Sequence, residues 1–123
     1  MKKLTVVISI IVVLLLGAIS VSAMTGEGTE LSPYLIETEE DFLVIANFPA
    51  MHYKLNNDIT INSELGDFSG TFDGNGFKIT TSKDYVLFSN SGTVKNVIVN
   101  GGKILGTNNE NGIIDNCFNN SIS

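Results

Sequence analysis

The chain has 123 residues with 7 lysines, no arginine and 13 acids, a formal charge of −6, and its length allows one domain. An acidic, arginine-free chain lacks the basic surface that a phosphate backbone requires, which excludes nucleic acid as a partner. A lone cysteine, Cys117, excludes an intrachain disulfide, so stability has to come from the core and the backbone ladder.

Lys2 and Lys3 precede an apolar run from Leu4 to Ile19, and Val21-Ser22-Ala23 supplies small residues before Met24. This order reads as a secretory signal over residues 1–23, cut between Ala23 and Met24. The alternative is an uncleaved signal segment acting as a membrane anchor, since the run approaches the length of a bilayer span. Cleavage leaves 5 lysines against 13 acids, a charge of −8. The expected address is secreted or cell-surface, with no membrane contact after cleavage.

Residues 24–32 are Gly-, Thr- and Glu-rich and have little to bury, which predicts a flexible leader. The domain then runs over 33–123. Pro33-Tyr34-Leu35-Ile36 opens it as a short strand, and Thr38-Glu39-Glu40-Asp41 starts a helix over about 38–47. Thr38 is placed to accept from the backbone N–H three residues on, and the acids favour the positive end of the dipole. Phe42, Leu43, Ile45 and Ala46 supply the apolar stripe, and Pro49 lies just past the end.

Beyond Pro49 the texture changes to brief β segments: Tyr53 to Leu55, Ile59 to Ile61, Phe68 to Phe72, Phe77 to Ile79, Val86 to Phe88, Val94 to Val99 and Lys103 to Leu105. Asn56-Asn57-Asp58, Gly74-Asn75-Gly76, Asn90-Ser91-Gly92 and Gly101-Gly102 separate them, residues that tolerate positive φ. Such spacing fits an antiparallel β-sandwich or a coil that winds strand over strand. An internal repeat favours the coil. A shift of 20 residues superposes Gly92 on Gly112, Val94 on Ile114, Asn96 on Asn116 and Val97 on Cys117, and also Ile59 on Ile79. About twenty residues make one turn of a parallel β-helix, with the next turn roughly 4.8 Å above. The winding predicts Val94, Val97 and Val99 pointing inward, and Asn96 stacked below Asn116 at a corner. Gly70, Asp73, Gly74, Gly76, Gly92, Asn96, Gly112 and Asn116 are the expected turn and ladder positions.

The blocks Tyr53-Lys54-Leu55-Asn56-Asn57-Asp58-Ile59, Phe68-Ser69-Gly70-Thr71-Phe72-Asp73-Gly74-Asn75-Gly76 and Gly92-Thr93-Val94-Lys95-Asn96-Val97, in that order after a capping helix, resemble the right-handed, pectate-lyase-like parallel β-helices of bacterial surface proteins with GLUG-type repeats. The resemblance implies an all-β solenoid with one N-terminal capping helix, often at the front of a longer adhesin-like protein. Members of the group usually continue for further turns, so the expectation is a chain truncated at its C-terminal end, where an open rung invites strand addition or self-association.

Chemistry is sparse. Asp58, Asp67, Asp73 and Asp84 are available to a carbohydrate-active enzyme, but no arginine is present to clamp a uronate. Asp58 and Asp73 occupy turn positions, where Asp bonds its own backbone. Asp73-Gly74-Asn75-Gly76 fails as a helix-flanked calcium loop because Phe77 and Lys78 replace the oxygen ligands. His52 has no second histidine at zinc spacing and reads as a partly exposed strand residue. Cys117 reads as a small buried hydrophobe. No catalytic, metal or cofactor site is expected. The reading is a non-enzymatic secreted or surface module that binds a glycan or protein or serves a structural role. The alternative is a remnant of a polysaccharide lyase or glycosidase that lacks its catalytic rungs.

Overall fold

The computed structural model describes residues 24–120. The expected signal over 1–23, with Ala23 at its end, lies outside them. The described chain winds into a parallel β-solenoid of about four turns. In chain order the elements are β1 (Tyr34–Ile36), α1 (Glu39–Leu43) and a 3₁₀ turn (Val44–Ala46), followed by eleven further strands. These are β2 (His52–Leu55), β3 (Ile59–Ile61), β4 (Leu65–Phe68), β5 (Thr71–Asp73), β6 (Lys78–Thr81), β7 (Tyr85–Asn90), β8 (Thr93–Lys95), β9 (Ile98–Asn100), β10 (Lys103–Asn108), β11 (Ile113–Asp115) and β12 (Phe118–Asn119). Three sheets run up the coil: sheet 1 in the order β1-β2-β5-β8-β11, sheet 2 as β3-β6-β9-β12 and sheet 3 as β4-β7-β10. Each strand pair is parallel, which rules out the sandwich.

The register confirms the 20-residue match. Val94 lies beside Ile114 and Ile59 beside Ile79. Side chains alternate across each strand, so the inward column of sheet 1 is Tyr34, Tyr53, Phe72, Val94 and Ile114. Val94, Val97 and Val99 are buried, as the winding requires. Aromatic rings fill the wide early turns: Phe68 meets Phe72 edge-on with centroids 6.4 Å apart, and Tyr53 lies 5.7 Å from Tyr34. Tyr53 is buried with its hydroxyl donating to the Phe48 carbonyl at 2.6 Å. Burial first, and then the neighbouring Tyr34, push that hydroxyl up to about 12.

Helix α1 closes the first turn. Thr38 caps it, accepting from the Asp41 N–H at 3.2 Å, and Phe42 and Ile45 turn into the coil. Phe42 meets Phe72 edge-on at 6.2 Å. The stripe is narrower than the sequence predicts, because Leu43 and Ala46 face solvent. The chain tightens into the 3₁₀ turn after Leu43, which rotates the later residues out of α-helical phase. Residues 24–32 are tied to the coil by backbone bonds, with Leu35 N–H donating to Thr25 O and His52 N–H to Gly28 O.

Two expected strands divide. Phe68 to Phe72 breaks at Ser69-Gly70 into β4 and β5, which belong to different sheets. Val94 to Val99 breaks at Asn96-Val97 into β8 and β9. The first break is forced by the rung below. A Cβ on Gly70 would lie 2.0 Å from the Met51 carbonyl oxygen, and one on Gly92 would lie 2.1 Å from that of Gly70. The same carbonyls receive the N–H groups of Thr71 and Thr93 at 3.1 and 2.9 Å. This corner therefore stacks backbone directly on backbone, which only glycine permits.

Gly92→Ala should lower the free energy of unfolding by roughly 1–3 kcal/mol, measured from urea titrations. Gly66→Ala is the matched control: its Cβ would meet nothing within 4 Å, and it should be neutral or stabilising by about 0.5–1 kcal/mol. Equal effects of the two changes would refute the close stacking.

Candidate functional site

The outward residues of sheet 1 fall into two columns. One runs His52, Thr71, Thr93, Ile113 and the other Leu35, Lys54, Asp73, Lys95, Asp115. Lysine and aspartate thus alternate at the rung spacing of about 4.8 Å, so each charge has an opposite neighbour across the ladder. The middle of this face, bounded at one end by Glu30, Leu31 and Pro33, forms a shallow groove of 350 Å³. Among the described residues, the side chains of His52, Lys54, Thr71, Thr93 and Lys95 have no hydrogen-bond or ion-pair partner. Two ammonium groups, two hydroxyls and an imidazole therefore face one depression with their donors unspent.

At the edge of this face the chain turns from sheet 1 to sheet 2, and the turn is held by an amide ladder. Asn75, Asn96 and Asn116 adopt φ of 56°, 56° and 54°, the left-handed region that asparagine tolerates better than most side chains. Asn116 Nδ2 donates to Asn96 Oδ1 at 2.8 Å, and Asn96 Nδ2 donates to Asp73 Oδ1 at 3.0 Å. The same Asp73 oxygen accepts from the Asn75 N–H at 2.8 Å. The expected stacking of Asn96 and Asn116 is present, with Asp73 as its foot. Gly74 fits beneath this row, where a Cβ would sit 2.2 Å from the Asn96 carbonyl oxygen, and Gly76 takes φ of 83°.

Asp58 departs from its expected role. It does not bond its own backbone but accepts from the N–H of Lys78 at 2.8 Å, one turn further on. Its exposed carboxylate links two circuits. Asp67 likewise accepts from Ser89 Oγ at 2.6 Å across sheet 3, whereas Asp84 lends its backbone carbonyl to Lys103 N–H. The four aspartates are distributed over separate edges and are not gathered into one cleft. Among the described residues, no cluster of three His, Cys, Asp or Glu side chains could hold a metal ion, and no helix is long and apolar enough to cross a membrane.

Cys117 is partly buried, at the corner between β11 and β12 and not inside a strand. Its Sγ lies 3.3 Å from the Asp115 carbonyl oxygen and 3.5 Å from that of Val94. Desolvation pushes its thiol up, which disfavours the thiolate. His52, three rungs away in β2, is not beside it.

A second polar row was not anticipated from the sequence. Asn90 is fully buried, and its Nδ2 donates to Asn108 Oδ1 at 2.9 Å and to the Gly92 carbonyl at 3.1 Å. Its Oδ1 accepts from Gly92 N–H at 3.0 Å. The Asn90-Ser91-Gly92 triplet reads only as a turn, yet the side chain of Asn90 supplies the bonds that hold the glycine corner.

The last described rung differs from those beneath it. Ile114, in the inward column, is 40% exposed, whereas Val94 directly below it is 1% exposed, and the outward Ile113 and Phe118 are 55% and 59% exposed. No family model matches this chain, and no curated protein or solved structure matches it.

Replacing Asn96 separates the two tasks of the corner. Asn96→Gly keeps the backbone angle and loses the amide, and Asn96→Ala loses both, so the alanine variant should be the less stable by about 1–2 kcal/mol. Urea unfolding of the two variants measures the difference, and equal stabilities would show that positive φ imposes no cost here.

Proposed function

We propose that the chain is a non-enzymatic binding module of the pectate-lyase-like, GLUG-repeat kind, exported to the cell exterior or surface, with an adhesin-like role. The observation that carries this reading is the outer face of sheet 1, where His52, Lys54, Thr71, Thr93 and Lys95 share one groove without partners. A shallow, regularly spaced face suits a glycan or protein surface better than a small molecule that has to be enclosed. The paired lysines stand two rungs apart with Asp73 between them, so an extended ligand along the solenoid axis would meet donors on successive rungs.

Binding to a printed glycan array, weakened by the double substitution Lys54→Ala/Lys95→Ala, is the expected result. An array bound equally by wild type and double variant would remove sheet 1 as the site. Release of unsaturated uronate from polygalacturonate would replace the binding reading with the alternative of a carbohydrate-active remnant.

The last described rung, where the inward-column Ile114 is 40% exposed, favours a second contact, strand addition by another chain or by a second copy. Size-exclusion chromatography with light scattering should show mass rising with concentration. A concentration-independent monomer would argue against this contact.

A further inference from the structure

We infer that the corner between sheets 1 and 2 holds a subsite for one ring of a neutral saccharide chain, a proposal that rests on reading the molecule as a binding module. The subsite is a groove of 210 Å³ lined by Asn75, Gly76, Asn96, Ile98, Asn116 and Phe118. No ionisable side chain lines it, in a chain where Glu30, His52, Lys54, Asp73 and Lys95 line the neighbouring groove on sheet 1. The lining itself matches uncharged hydroxyls, which meet amide donors and acceptors there, while the first cation in the column of Phe118 and Ile98 is Lys78, one rung below Ile98.

The two walls differ in kind. On one side the three asparagine amides are held in fixed orientation by the ladder, which uses one Nδ2 hydrogen of each: Asn75 to the Leu55 carbonyl, Asn96 to Asp73 and Asn116 to Asn96. A primary amide has two such hydrogens and a carbonyl oxygen. Each asparagine therefore keeps a donor for a hydroxyl, and Asn75 and Asn116 keep their acceptors. On the other side Ile98 and Phe118 are cross-strand neighbours, and Phe118 is more than half exposed. They give the apolar surface against which the C–H face of a pyranose packs. A preorganised amide row facing an aromatic and aliphatic wall matches the amphipathic faces of a sugar, and the low ordering cost favours affinity.

The volume sets the stoichiometry. Enclosed small-molecule sites run to roughly 300–1,000 Å³, so this groove seats a single ring. It is open, and the amides repeat along the solenoid axis at about 4.8 Å, so the neighbouring rings of a chain continue along the corner.

Isothermal titration of the full chain with cellohexaose, chitohexaose and mannohexaose, with polygalacturonate as the acidic comparison, tests the assignment. At least one neutral hexasaccharide should bind, and Phe118→Ala should weaken it by about tenfold or more. Asn116→Gly, which keeps the positive-φ backbone and removes one amide, should weaken it as well, and Lys103→Ala on sheet 3, which lines neither groove, should leave it unchanged. Circular dichroism and thermal unfolding of the variants separate lost binding from lost structure. Neutral binding that survives both corner substitutions, or that disappears with Lys103→Ala, would overturn the corner subsite and leave the binding-module reading standing. Preference for polygalacturonate over every neutral oligosaccharide would also overturn it. Silence toward the neutral sugars removes the subsite, and a blank glycan array in addition removes the module reading with it.

Discussion

The fold depends on one constraint: each circuit has to lay its backbone directly on the backbone of the circuit below. Where the coil turns into sheet 1, the carbonyls of Met51, Gly70 and Gly92 each receive an N–H from the next rung, at a separation that leaves no room for a side chain on Gly70 or Gly92. Buried backbone groups have to be paired, and a solenoid pairs them almost entirely between circuits. Close stacking at the corners therefore decides whether the strands between can form their ladders. The aromatic core follows from it, since Tyr53, Phe72 and Val94 superpose only when the corners hold register.

Polar side chains do the remaining work of alignment. Asp58 on Lys78 N–H, Asp67 on Ser89, Asp73 under Asn96, and Asn90 against Asn108 are all bonds between successive circuits. Each joins residues 18 to 23 positions apart, so a slip of one residue between two circuits would break the bonds that join that pair. A slip of one residue would already turn the apolar set outward, and a directional hydrogen bond at each edge adds a second penalty to the same error. The acids that composition presents as candidate catalysts are in large part used in this way.

The sequence made the winding legible where circuits happen to be of equal length. Val94 and Ile114, and Ile59 and Ile79, are 20 apart and pair as expected. Elsewhere the circuit varies: Tyr53 to Phe72 is 19 residues, Phe72 to Val94 is 22, and Leu87 to Leu105 is 18. No fixed offset could find those pairs. The helix start at Thr38 was readable because its cap is local, and Gly70 stood among the expected turn and ladder positions, but the division of the strand there was not readable, because the carbonyl that demands it belongs to Met51 on another rung. The groove on sheet 1 was hidden for the same reason. His52, Lys54, Thr71, Thr93 and Lys95 become neighbours only through register, and as isolated residues in short strands they carry no sign of a shared face.

The helical lid at one end gives the molecule a polarity in time as well as in space. Phe42 and Ile45 leave the ribosome before any of the later circuits, and Phe42 already contacts a residue as far along as Phe72. A repeat array can begin folding anywhere that a stable neighbour exists, and here Phe42 and Ile45 give the first circuit a covered side on which the next can pack. Each circuit pairs with the one 18 to 22 residues before it, so the search for distant partners that burdens other all-β proteins is divided into steps of one lap each.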